Sequence, residues 1–80
     1  MPTILRRDGL RFAFFSNEGN PREPPHVHIS AGGAEAKVWL EPEIAIVENY
    51  GFNSRELNRI MRAVHEERDR LLRAWNEYFR

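Results

Sequence analysis

Two short turn signals constrain most strongly what this chain can fold into. Asp8-Gly9 separates Thr3 to Arg7 from Leu10 to Ser16, and Gly32-Gly33 separates two further runs of strand-forming residues. Two-residue connections of this composition favour type I′ turns, which join neighbouring antiparallel strands. The first half of the chain is therefore predicted to form two β-hairpins.

The sequence pattern defines the second hairpin and the segment after it less completely than the first hairpin. His26 to Ala31 and Ala34 to Glu41 flank the second turn, and Asn17 to Pro25 before them is predicted to be a loop. Pro42 ends the fourth strand because proline has no backbone N–H to donate. Ile44 to Glu48 is too short for periodicity to decide between a fifth strand and a turn of helix.

Beyond Gly51 the apolar residues recur every three or four positions, which predicts an amphipathic helix from about Ser54 to Tyr78. Asn53 and Glu56 have the spacing of a capping box at its start. The expected fold is α+β: an antiparallel sheet of four to five strands built from two β-hairpins, with one long C-terminal helix packed on one face. Residues 1–80 are expected to form a single domain. The apolar helix positions are Leu57, Ile60, Met61, Val64, Leu71, Leu72, Trp75 and Phe79.

Composition narrows the class of protein. The chain has 80 residues, 12 Lys plus Arg against 12 Asp plus Glu, and no cysteine. A chain this short forms a small hydrophobic core, so a dimer or a partner protein is a candidate way of completing it. The absence of cysteine excludes disulfides and thiolate sites. No apolar run is long enough for a membrane span or a signal peptide, so a cytoplasmic location is expected.

The register that follows from the second turn places two histidines on the sheet face away from the helix. Val27 paired with Val38 is the apolar side, which the helix is expected to cover. On the other side His26 lies opposite Trp39, His28 opposite Lys37, and Ser30 opposite Glu35.

The first hairpin places two arginines directly opposite each other. Its two-residue turn predicts the pairs Leu5 with Phe12, Thr3 with Phe14, Ile4 with Ala13, and Arg6 with Arg11. Like charges in directly opposed positions are destabilising. Arg6 and Arg11 therefore need a carboxylate or a bound anion between them, unless both side chains extend into water.

If the four strands form one sheet, basic and aromatic residues collect on its uncovered face. Such a combination is typical of surfaces that bind single-stranded nucleic acid, and also of protein interfaces. The nucleic-acid or anion-binding candidates are Arg6, Arg11, Lys37 and Trp39, with Phe15, His26 and His28 beside them.

His26 and His28 are the candidate catalytic residues, because alternate residues of a strand point the same way. They could act as acid and base on a phosphodiester or contact an anion. They could also begin a metal site completed by Glu35, Glu41 or His65, or they could be structural. The chain has no Gly-rich phosphate motif, and we expect no cofactor and no bound metal.

Seven segments give the chain a resemblance that spans almost its whole length. They are MPTILR, RFAFFSNE, PPHVHI, GGAEAKVWL, NYGF, SRELNRI and LLRAWNEYF. With these segments the chain resembles domain-of-unknown-function family 4160, a family of small bacterial and archaeal proteins. Gly19 to Glu23 is an insertion relative to the shorter loop common in that family.

The resemblance implies a partner rather than a set of catalytic residues. Genes of this family commonly neighbour those of domain-of-unknown-function family 2442, an arrangement that implies a toxin–antitoxin-like module. We therefore expect a component that binds a cognate small protein from a neighbouring gene, with RNA or DNA as a further target. The alternatives are a non-enzymatic homodimeric interaction module and a metal-dependent enzyme that uses His26 and His28. The sequence does not decide whether the protein is an enzyme.

Overall fold

Five strands followed by one helix make up the computed structural model, which describes residues 3–15 and 23–79. The strands form one antiparallel sheet in the order β1-β2-β3-β4-β5, so each strand pairs with its neighbour in sequence. The α+β prediction is confirmed. The elements are β1 Thr3–Arg7, β2 Leu10–Ala13, β3 His26–Ala31, β4 Ala34–Trp39, β5 Ala45–Tyr50 and α1 Ser54–Tyr78.

Both predicted turns have the backbone that type I′ geometry requires. Asp8 and Gly9 have φ values of 53° and 77°, and Gly32 and Gly33 have values of 52° and 87°. Positive φ at both central positions matches the twist of the flanking strands. The two turns therefore lie at the same end of the sheet, since β1-β2 and β3-β4 are both hairpins.

The first hairpin departs from its predicted register near its open end. Leu5 pairs with Phe12 and Arg6 with Arg11 as predicted, but Thr3 pairs with Ala13. The predicted pairs of Thr3 with Phe14 and Ile4 with Ala13 are therefore wrong. The physical reason is a register shift between Thr3 and Leu5, which gives β1 one more residue than β2 over this stretch. Strand β2 ends at Ala13, and the predicted end at Ser16 lies outside the described residues.

The second hairpin has the predicted register at every pair. Strand β4 stops at Trp39, two residues before the predicted end, and the Leu40 amide donates a hydrogen bond of 2.8 Å to the Pro25 carbonyl. The segment after Pro42 is a strand and not a turn of helix. In β5 the pairs shift by one residue, so Val47 is left without an opposite residue in β4.

Helix α1 has the predicted bounds and the predicted capping box. The Asn53 side chain accepts a 2.8 Å hydrogen bond from the Glu56 amide, and the Glu56 carboxylate accepts one of 2.9 Å from the Asn53 amide. The helix covers one face of the sheet, and we call the opposite face the open face. The buried core comprises Leu5, Leu10, Phe12, Phe14, Val27, Ile29, Ala36, Val38, Leu40, Phe52, Ile60, Ala63, Val64, Leu71 and Trp75.

An ion-pair cluster joins the first strand to the helix. Arg7 donates to the carboxylates of Glu66 and Glu67, with a distance of 3.1 Å between Nη1 and Glu67 Oε2. These hydrogen bonds, chiefly the one that Arg7 donates to Glu66, raise the pKa of the Arg7 guanidinium above its ordinary value. The positive charge of Arg7 is therefore neutralised within the fold.

Candidate functional site

Strand register brings five side chains into one row that crosses the whole sheet on the open face. Arg6 pairs with Arg11, Arg11 with Ser30, Ser30 with Glu35, and Glu35 with Tyr50. Directly paired residues point to the same face of a sheet. We call Arg6, Arg11, Ser30, Glu35 and Tyr50 the cross-strand row. It begins with two cations and ends with an exposed aromatic ring.

The basic end of this row lines a pocket beside the two turns. The pocket has a volume of about 380 Å³ and is open to solvent. We call it the turn-end pocket. Its lining combines two guanidinium groups, a hydroxyl, a carboxylate and small residues. The lining residues are Arg6, Gly9, Arg11, Ser30, Ala31, Gly32, Gly33, Ala34 and Glu35.

The two arginines of the turn-end pocket have no counter-ion in the described part of the chain. Arg11 Nε donates a 2.8 Å hydrogen bond to the Thr3 hydroxyl, which is neutral. Within residues 3–15 and 23–79 no carboxylate forms an ion pair with Arg6 or Arg11. The adjacent Arg7 shows the opposite arrangement, because two helix carboxylates hold it. The pocket therefore carries two neighbouring positive charges that form no ion pair with a described carboxylate, although the Glu35 side chain also lines it.

The predicted catalytic pair lies elsewhere on the sheet and is buried. His26 is 0% exposed and His28 is 7% exposed, and neither lines the turn-end pocket. His26 Nδ1 lies 2.9 Å from the Pro24 carbonyl oxygen, which can only accept, so this nitrogen carries the proton. His26 thus has the predicted register opposite Trp39, but its imidazole is not on an accessible surface.

Aromatic rings enclose both histidines. Phe15 stacks on His28 with the ring centroids 3.6 Å apart and an interplanar angle of 5°. The His26 ring lies 5.2 Å from Trp39 and 5.0 Å from Trp75, measured between centroids. We call these five residues the histidine cluster. The sequence predicted that Phe15 and Trp39 lie on the sheet face that the helix does not cover. It did not predict that Trp75 of the helix reaches His26.

Trp39 is part of the histidine cluster, and Lys37 lies beside it. Neither residue lines the turn-end pocket. Lys37 Nζ lies 4.9 Å from the centroid of the Trp39 ring and donates a 3.2 Å hydrogen bond to Glu23. A carboxylate therefore pairs with the Lys37 ammonium. The structure brings Arg6 together with Arg11, and Lys37 together with Trp39, but it does not merge the two pairs into the single basic patch expected from the sequence.

The candidate third metal ligands do not complete a site in the part of the chain that the structure describes. Glu35 Oε2 lies 3.7 Å from His28 Nδ1. No group of three or more His, Asp or Glu side chains in residues 3–15 and 23–79 is placed to hold a metal ion, so Glu41 and His65 do not join the histidine pair there. Among the described residues, no helix has the length and apolar character needed to cross a membrane.

Sequence reasoning missed Tyr50 as a site residue. Tyr50 is 66% exposed at the end of β5, on the outer edge of the sheet. Its place in the cross-strand row depends on the shift at Val47, because without that extra residue alternate side chains of β5 would change faces. No local feature of the sequence marks this shift.

Comparisons with known proteins agree with the pattern of sequence segments. The family model described as "Domain of unknown function (DUF4160)" matches residues 9–76. No curated protein matches the chain significantly, and no solved structure does. The match covers both hairpins from the first turn onward and the helix as far as Asn76. The chain therefore belongs to the DUF4160 family of domains of unknown function.

Proposed function

We propose that this protein is a nucleic-acid-binding component of a toxin–antitoxin-like module, and that Arg6 and Arg11 hold a backbone phosphate in the turn-end pocket. The observation that carries the proposal is the pair of directly opposed arginines with no ion-pair partner among the described residues. A phosphate between two guanidinium groups accepts hydrogen bonds from both and removes their mutual repulsion.

The distribution of charge supports a local site on a protein that has no net charge. Carboxylates of the same chain neutralise Arg7 and Lys37, whereas Arg6 and Arg11 remain without such partners among the described residues. Nucleic-acid binding depends on the phosphates that cationic side chains contact, not on the charge of the whole protein. A balanced chain can therefore carry a basic binding site.

The burial of His26 and His28 favours binding over cleavage. A phosphodiester seated on Arg6 and Arg11 is not in contact with either imidazole, because neither histidine lines the turn-end pocket. General acid–base catalysis needs the side chain within hydrogen-bond reach of the reacting group. The histidines remain candidates for RNA cleavage only if the cluster of rings around them opens.

A protein partner is the second candidate, and the outer edge of β5 favours it. Among residues 3–15 and 23–79, strand β5 pairs with β4 and with no other strand, and Val47 on this strand is 41% exposed. An exposed edge offers unpaired backbone N–H and C=O groups to a strand from another chain. A cognate small protein from a neighbouring gene would bind here, and a second copy of this chain is the alternative occupant.

The phosphate proposal is tested by titrating a fluorescein-labelled 12-nucleotide RNA with the protein at several salt concentrations and following fluorescence polarisation. The variants are Arg6→Ala, Arg11→Ala and the double variant. Each phosphate contact contributes about 0.7 to the slope of log K against log salt for a single strand. Because Arg6 and Arg11 hold one phosphate between them, the double variant should lower that slope by about 0.7. It should also bind at least about tenfold more weakly at low salt.

Arg59→Ala is the matched control, because Arg59 is an exposed helix arginine remote from the open face. It removes the same charge and should leave affinity and salt slope nearly unchanged. Wild-type protein that fails to bind RNA and DNA would refute the proposal. An equal loss of binding in Arg59→Ala and Arg11→Ala would also refute it, because it would place the contact outside the pocket.

A further inference from the structure

We infer that the nucleic acid is single-stranded and lies across the strands along the cross-strand row, with its backbone on Arg6 and Arg11 and a base stacked on Tyr50. The inference rests on the proposed function and adds the class of ligand and its direction on the sheet. It depends on three features of the row: the cations at one end, the exposed ring at the other, and the carboxylate between them.

The first feature is the distance between the two ends of the cross-strand row. Arg11 lies on β2 and Tyr50 on β5, three strands apart in one row. With neighbouring strands about 4.8 Å apart, their backbones are separated by about 14 Å. One phosphate group cannot contact both ends. A chain that extends along the row can place its phosphates on the arginines and a base on the ring.

The second feature is the exposure of Tyr50, a residue that is 66% exposed at the rim of the open face. A tyrosine ring on a sheet surface stacks with any base that is free of its own neighbours. In a duplex the base faces are covered by stacking within the helix, and only the base edges and the backbone are presented. The position of Tyr50 beside a phosphate site therefore selects a single strand.

The third feature is Glu35, which lines the pocket on the side nearest Tyr50 and lies between Ser30 and Tyr50 in the row. Its carboxylate repels phosphate, so it favours a backbone that stays at the arginine end. It can accept a hydrogen bond from an exocyclic amino group, such as N4 of cytosine. Uracil has a carbonyl oxygen at the same ring position and cannot donate there. Glu35 should therefore favour cytosine over uracil.

The test uses three labelled probes in the same polarisation assay: a 12-nucleotide oligocytidine, a 12-nucleotide oligouridine and a 12-base-pair RNA duplex. Wild-type protein should bind oligocytidine about fivefold more tightly than oligouridine, and it should bind the duplex more weakly than either single strand. Glu35→Gln should bring the two single strands to equal affinity, because the amide can both donate and accept.

Tyr50→Leu should weaken both single strands by about tenfold and leave the duplex unchanged, since stacking does not depend on base identity. Tyr50→Phe keeps the ring and should bind like the wild type. Val47→Ala is the matched control on the same edge strand, because Val47 is exposed but lies outside the cross-strand row. It should leave the affinity for all three probes unchanged.

The assay distinguishes failure of this inference from failure of the proposed function. If Arg6→Ala and Arg11→Ala weaken binding but Tyr50→Leu does not, or if duplex and single strands bind equally, the inference is overturned and the phosphate site stands. If the wild-type protein binds none of the probes, the proposed function fails together with the inference. Equal losses in Val47→Ala and Tyr50→Leu would also overturn the inference, because they would reflect damage to the strand.

Discussion

Replacing Trp75 with alanine should destabilise the protein strongly, because this residue joins the end of the helix to the sheet. The Trp75 side chain is 0% exposed. Its ring lies 5.3 Å from Phe14, 5.0 Å from His26 and 4.1 Å from Phe79, measured between centroids. Removing a buried tryptophan of this kind lowers the free energy of unfolding by about 3–5 kcal/mol.

The unpaired indole N–H makes the expected loss in free energy of unfolding for Trp75→Ala fall at the lower end of the range for a buried tryptophan. Nε1 is buried and has no hydrogen-bond partner among the described residues, an arrangement that is itself unfavourable by about 1–3 kcal/mol. Alanine removes this unpaired donor together with the ring contacts, so we expect a net loss of about 3 kcal/mol. For a domain of this size such a loss lowers Tm by about 12–24 °C.

Urea unfolding followed by circular dichroism measures the difference in free energy directly. Trp75→Phe keeps an aromatic ring against Phe14 and removes the unpaired N–H, so it should lower stability by at most about 1.5 kcal/mol. Trp39→Ala removes a half-buried tryptophan from the other side of His26 and should lower the free energy of unfolding by about 2 kcal/mol. The reasoning is refuted if Trp75→Ala loses less than Trp39→Ala, or if Trp75→Phe loses as much as Trp75→Ala.

Two further predictions concern the backbone at the start of the helix, and the same unfolding measurement checks them. Asn53→Ala should lower stability by about 1 kcal/mol because it removes the capping acceptor, whereas Ser54→Ala, at the first helical position, should change it little; equal losses would show that the cap is not stabilising. Gly51→Ala should be more destabilising than Gly33→Ala. Both glycines have positive φ, but only at Gly51 would a Cβ meet Ala34, at 3.2 Å from its Cβ; an equal effect would show that the contact relaxes freely.

The parts of the fold that the sequence predicted are those that local chemistry determines. The Gly32-Gly33 turn fixes the register of its own hairpin, so His26 opposite Trp39 follows from residues close together in sequence. The capping box at Asn53 is local in the same sense. Departures occur where an extra residue enters a strand, as at Val47. Such a bulge depends on packing across the sheet and leaves no mark in the alternation of residue types.

The candidate site was predicted in part for the same reason. The opposed arginines, Arg6 and Arg11, follow from one turn and were predicted. The burial of His26 was not predicted, because it depends on Trp75, which lies far along the chain and reaches the histidine only when the helix packs on the sheet. Pairing within a hairpin shows which face a side chain occupies, but only the packed fold shows whether solvent reaches it.

The simple strand order has a consequence for how the chain folds. Because every strand pairs with its sequence neighbour, the sheet assembles from local contacts, which favours rapid folding. Individual hairpins form in about 1–10 μs. The contacts of Trp75 with Phe14 and His26 join segments much further apart in sequence. We therefore expect docking of the helix end onto the preformed hairpins to be the rate-limiting step of folding.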